Sequence, residues 1–169
     1  MNSKTKRVAF LGLLTSFALV LSYIELLLGP VISGVPGIKI GLPNIIVIFL
    51  LYKASLKEAA LVSLVRIVLI TFLFGNFVTF LYSLAGAAFS IAIMFVLKQI
   101  KAFSTVGVSI AGGVAHNLAQ ICVAIFLLET VQIAYYAVVL IVSGVISGTL
   151  IGLLGAMSVK YIEKIKLPF

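Results

Sequence analysis

The sequence predicts an all-α integral membrane protein whose six helices cross the bilayer as one transmembrane domain, 1–169, with both ends in the cytoplasm. Three observations predict it. Of 169 residues, 63% are hydrophobic and 9% charged, with a mean hydropathy of +1.35, more apolar surface than so few polar groups could shield from water. The apolar runs are long and show no period-two alternation, so they read as helices rather than barrel strands, the two backbone forms that satisfy their own hydrogen bonds in hydrocarbon. The basic residues fall almost entirely between the runs, where loops belong.

Apolar runs bounded by charge or turn residues give spans near 8–28, 43–52, 57–74, 77–97, 106–128 and 133–159. The first follows Lys4, Lys6 and Arg7 in the manner of a signal peptide, but it is too long and lacks a small-residue cleavage site, so it reads as an uncleaved span. An outer loop, 29–42, follows, with Gly29-Pro30, Pro36-Gly37 and Gly41 as its breakers. The second span covers only about 15 Å at 1.5 Å per residue, half of a ~30 Å hydrocarbon core, so its start should lie within the protein. Pro43 suits a first helical position, and free amides at that helix start would favour an anion.

With the first residue inside, ten of the twelve basic residues fall on the cytoplasmic side: Lys4, Lys6, Arg7, Lys53, Lys57, Lys98, Lys101, Lys160, Lys164 and Lys166. The exceptions are Lys39 in the outer loop and Arg66 near the middle of the third span. Arg66 costs roughly 2.5–3.5 kcal/mol at a helix centre, and its apolar neighbours return about 3–6 kcal/mol, so the helix still inserts.

Placed by this topology, Glu25, Lys39, Asn44, Arg66, Asn76, Tyr82, His116, Asn117 and Gln120 all fall in the outer half or near the midplane. Their convergence points to a substrate-binding cavity entered from outside. His116, Asn117 and Gln120, at i, i+1 and i+4, offer hydrogen-bonding groups from one helix. Each residue also has a structural alternative: Glu25 pairing with Arg66 or Lys39, Asn44 bracing the short helix, Tyr82 anchoring at the interface, the amides joining helices. Gly144, Gly148, Gly152 and Ala156 form a stripe for close helix approach. Gly12 and Ser16, a shorter small-residue pair on the first span, mark a packing or partner-docking face.

Some chemistry is missing from the sequence. There is no aspartate, and the four glutamates, Glu25, Glu58, Glu129 and Glu163, are far apart, so no paired carboxylates are set to hold Mg²⁺ and no metal site is expected. No P-loop is present, so the chain itself binds no nucleotide or other cofactor. Cys122, the single cysteine, reads as packing. The net charge of +8 is topological and not a nucleic-acid footprint. The chain is therefore not expected to be an enzyme.

The stretches GIKIGLPN (37–44), LVRIVLITFLFGN (64–76), LYSLAGAAFS (81–90) and GVSIAGGVAHNLAQ (107–120) resemble the Gx transporter family, also labelled heptaprenyl diphosphate synthase component I. That family is similar to the substrate-binding S components of energy-coupling factor transporters. The resemblance implies a six-helix S component in the plasma membrane of a prokaryote that captures a small, vitamin-like molecule from outside. It would work with a membrane T component and two cytoplasmic ATPases that consume ATP. S components commonly carry Ala-xxx-Ala early in the first helix; here Ala9 is followed by Leu13, and Gly12 and Ser16 offer the same close approach. The older label implies a different partner, a soluble prenyl synthase, with this chain as a non-catalytic membrane accessory. Arg66, Lys39, His116 and the short helix start point to an anionic group on the ligand.

Overall fold

A computed structural model describes residues 2–33 and 39–162, all of whose regular elements are helical. Their order is α1 (Ser3–Ser33), α2 (Asn44–Lys53), α3 (Leu56–Phe74), α4 (Phe77–Lys98), α5 (Thr105–Leu128), a 3₁₀ turn (Val131–Tyr136) and α6 (Ala137–Ile162). Residues 34–38 of the expected outer loop, and Lys164 and Lys166, lie outside the described residues.

Side-chain caps start three of the helices. Ser55 accepts from the Glu58 amide at 3.3 Å and donates its hydroxyl to the Glu58 carboxylate at 2.9 Å, a reciprocal cap in which the sequence switches from turn to helix. Asn76 accepts from the Thr79 amide at 2.9 Å, and Ser104 from the Gly107 amide at 3.1 Å. The links between α2, α3 and α4 are two residues each, so these helices fold back on one another, and each helix from α2 to α6 packs against the next in sequence.

Four segments among the described residues are long and apolar enough to cross a membrane: Lys4–Leu28, Phe77–Lys98, Thr105–Leu128 and Val131–Ile162. The other two helices differ for separate reasons. α2 is only ten residues long. α3, at 19 residues, has the length, but Lys57, Glu58 and Arg66 interrupt its apolar character.

α2 sits at the centre of the molecule. Ile46, Val47, Ile48, Phe49, Leu50 and Leu51 are consecutive and all buried, so every side of the helix faces protein. Ala18 of α1, Ala59 and Val62 of α3, Ile91 and Met94 of α4, Val108 of α5 and Ile151 of α6 surround it. The outer helices keep long apolar side chains such as Phe17, Phe72, Phe89, Phe126 and Ile146 exposed, as lipid-facing surfaces do.

α1 departs from expectation at its far end. Gly29-Pro30 was expected to break the chain, yet the helix runs through both to Ser33. A proline within a helix forfeits one backbone bond and crowds the preceding turn, which bends a helix more readily than it ends one in a membrane setting.

Close approach holds α5 against α6. A Cβ on Gly148 would lie 2.7 Å from the Ile110 Cα, one on Gly144 3.0 Å from the Gly113 carbonyl, and one on Gly152 2.8 Å from the Val106 Cα. These glycines bring two backbones together. Gly12, in contrast, has nothing within 4 Å of such a Cβ, and Ser16 only donates back to the Gly12 carbonyl at 3.0 Å, so this pair lies on an open face.

Candidate functional site

The seam between α1 and α3 is polar. From α1, Ala18, Ser22 and Glu25 recur at helical spacing and are buried; from α3, Ser63 and Ile67 face inward beside Arg66. Arg66 donates from Nη1 to the Ser22 hydroxyl at 3.2 Å, while its Nε is buried without a partner among the described residues. The Ser63 hydroxyl is likewise buried and unpartnered. At membrane depth such vacancies cost more than in water, which makes Arg66 the most conspicuous residue in the molecule.

Glu25 is the nearest acidic group. Its carboxylate accepts a hydrogen bond from the Gly41 amide and lies close enough to Lys39 and Arg66 to interact with both electrostatically. Gly41 has φ +81°, in the left-handed region that favours glycine, and the turn it makes delivers its amide to Glu25 just before α2 begins. His116 lies within electrostatic range of Lys39 and Arg66. Its ring fills the space left by Gly86, where a Cβ would lie 2.6 Å from the imidazole. Nε2 of His116 meets the Gln120 amide nitrogen at 3.2 Å, and Nδ1 is buried against the Gly86 backbone. Among the described residues, Lys39 and Arg66 thus lie near one carboxylate, and His116 lies near both of those cations.

Other candidates go elsewhere. Asn117 donates to the Leu140 carbonyl at 2.7 Å, bracing α5 to α6. Asn76 is exposed and spends its carbonyl oxygen on the Thr79 amide and hydroxyl. Tyr82 is half-buried on α4, one turn before Gly86.

The start of α2 corrects one expectation. The Asn44, Ile45 and Ile46 amides already donate to the Gly41, Leu42 and Pro43 carbonyls at 2.8, 3.2 and 3.1 Å, so this helix start offers no free amides to an anion. The Asn44 side chain borders a cleft. That cleft, about 20 Å³ and so large enough for one water-sized group, lies where α2, α4, α5 and α6 meet. Its polar lining comes from Asn44, Ser90, Ser109 and Ser147, beside Gly41, Gly113 and Gly148. Of the nine candidate binding residues only Asn44 lines it. The serines stand at spacings that also describe ordinary helix packing, and no charge or ring marks them out in sequence.

At the opposite end of α3, Arg7 and Glu58 form an ion pair at 2.5 Å that ties α1 to α3, and Lys98 donates to the Leu51 carbonyl at the end of α2 while lying 5.1 Å from the Tyr52 ring centre. No cluster of three potential metal ligands occurs among the described residues.

Fold and site define a class: a helical membrane protein in which a half-buried arginine and histidine and an exposed lysine lie near one another beside a cleft. Within it, the family model described as heptaprenyl diphosphate synthase component I matches residues 14–158, and the chain belongs to that family. No curated protein sequence and no solved structure matches the chain.

Proposed function

We propose that the chain is a non-catalytic, multi-pass membrane subunit that binds a small molecule bearing an anionic group. The observation that carries this reading is the buried Nε of Arg66, which has no partner among the described residues, beside Lys39 and His116. A guanidinium at membrane depth recruits whatever acceptor can reach it, and a carboxylate or phosphate oxygen suits it best. The six helices cross the membrane with both termini in the cytoplasm, α2 entering from the outer side as a half-span buried by its neighbours.

Two partnerships fit this role. The family's description favours work beside a heptaprenyl diphosphate synthase, with this chain holding an isoprenoid and the partner performing the chemistry; a diphosphate is an anion of the required kind. The second reading is an S component of an energy-coupling factor importer, docked on a T component and two ATPases. The hydrogen bond that ties Gly41, at the end of the outer loop, to Glu25 beside the cations favours it, because a capture site needs a closure.

Mass spectrometry of small molecules retained by the purified protein, with Arg66→Gln as control and co-purifying proteins identified, separates the readings. A prenyl diphosphate together with a synthase supports the first. A water-soluble anion together with ATPases supports the second. Equal retention of ligand by Arg66→Gln would remove the shared basis of both.

A further inference from the structure

The cleft between α2, α4, α5 and α6 is separate from the cationic cluster, and its chemistry differs. Ser90 and Ser109 are each only 3% exposed, yet neither hydroxyl has a hydrogen-bond partner among the described residues. Serines within helices ordinarily donate back to the carbonyl one turn earlier, as Ser22, Ser16 and Ser158 do here at 2.8, 3.0 and 2.8 Å. Ser90 and Ser109 instead front a cavity. The Asn44 amide reaches the same space unbonded, and Ser147 borders it with only a long 3.4 Å bond to the Gly144 carbonyl. No charged side chain lines the cleft; Ile48, Met94 and Ile151 supply the rest of its wall.

The two sites adjoin. On α4, Ser90 lies one turn beyond Gly86, which receives the His116 ring; on α5, Gly113 lies three residues before His116. One helical turn advances about 5.4 Å, so the cleft begins within a few atoms' length of the imidazole. Gly41 belongs to both sites, lining the cleft while its amide is held by Glu25.

We propose that this cleft is a second subsite, built for one small uncharged polar group, a hydroxyl or a carbonyl oxygen, of the ligand whose anionic end lies at Arg66 and His116. The inference rests on the anion-binding reading above and adds the other half of the ligand. Uncharged groups are specified because the lining supplies donors and acceptors without a countercharge, and an ion there would stay unpaired. Full occupancy by a purely apolar chain is disfavoured, since it would leave the buried serine hydroxyls and the Asn44 amide unsatisfied. The ligand is therefore compact and two-ended.

The test uses the full chain in lipid nanodiscs and two probe series of equal length, the straight-chain C4 to C6 carboxylates and their ω-hydroxy counterparts, titrated by ligand-observed NMR. At one length at least, the ω-hydroxyl is expected to tighten binding about five- to tenfold, the effect of one net hydrogen bond. Ser90→Ala with Ser109→Ala should abolish that gain and leave binding of the plain carboxylate unchanged, while Arg66→Gln should weaken both series. The serine variants should melt within about 2 °C of the parent, because the hydroxyls they lose bond nothing in the fold. No gain at any length, a gain that survives the double substitution, or a large drop in melting temperature would each overturn the second subsite with the anion reading intact. If neither series bound, the anion reading would fall and the two-ended ligand with it.

Discussion

The His116 imidazole occupies the space that a side chain on residue 86 would claim, so the candidate site depends on a missing carbon atom. Gly86→Ala should push the ring aside at a cost of about 1–3 kcal/mol, read as a lower melting temperature in detergent. If contact with the ring is the cause, a second change, His116→Ala, should recover part of that loss, a coupling that a double-mutant cycle measures. The two buried serines of the α1–α3 seam make a sharper contrast. Ser22→Ala removes the one hydrogen-bond partner that Arg66 has among the described residues and should destabilise by roughly 1.5–3 kcal/mol, the range for bonds to charged groups. Ser63→Ala deletes a hydroxyl that bonds nothing and should be neutral or slightly stabilising. Equal losses from the two would mean that the geometry at Arg66 is misassigned. Arg66 itself stood out in sequence because a charge amid apolar residues has few explanations. Ser63, Ser90 and Ser109 did not, because a hydroxyl in such a helix usually satisfies itself against its own backbone.

Among the helices, α5 and α6 are joined by the absence of side chains, and α1 presents an open glycine. Gly148→Ala would place a Cβ 2.7 Å from the Ile110 Cα, a backbone atom that cannot step aside, and should lower stability by about 1–3 kcal/mol or more. Gly12→Ala meets nothing and should change stability by less than about 0.5 kcal/mol, apart from a small gain in helix propensity. Thermal unfolding of the two variants side by side checks the contrast. The four-residue recurrence of small side chains made the α6 stripe readable from sequence. The starts of α3, α4 and α5 were readable to within one residue, since the apolar runs begin near 57, 77 and 106. The end of α1 was not, because Gly29-Pro30 is a turn signal in water that a long apolar helix overrides. Asn76 and Asn117 illustrate the other limit: a polar residue at depth can serve a cap or a neighbouring carbonyl, and only the fold shows which.

At the scale of the whole molecule, the proposed six-crossing arrangement makes a directional statement about the turns. With Cys122→Ser as background, Lys101→Cys in the α4–α5 turn should be hidden from a membrane-impermeant maleimide in intact cells, whereas Thr130→Cys in the α5–α6 link should react. Reversed labelling would invert the topology; labelling of both would mean that α5 does not cross. The hydropathy pattern and the charge distribution made the helical class legible before any coordinates. What they could not supply was the position of the cleft, which is assembled from four helices whose contributing residues are individually unremarkable.

The burial of α2 on every side also bears on how the molecule is made. α2 and α3 leave the ribosome early, one too short to cross the bilayer and the other carrying charge into it, yet α2 finds part of its cover on α6, the last helix to be synthesised. For most of translation this pair must wait unshielded, in the care of the insertion machinery or of lipid that suits neither. A nascent chain stopped ahead of Ala137 should therefore be held or degraded, and α6, whose Gly155 lies against Ile48 of α2, acts as the closing piece whose arrival turns a set of inserted segments into a protein.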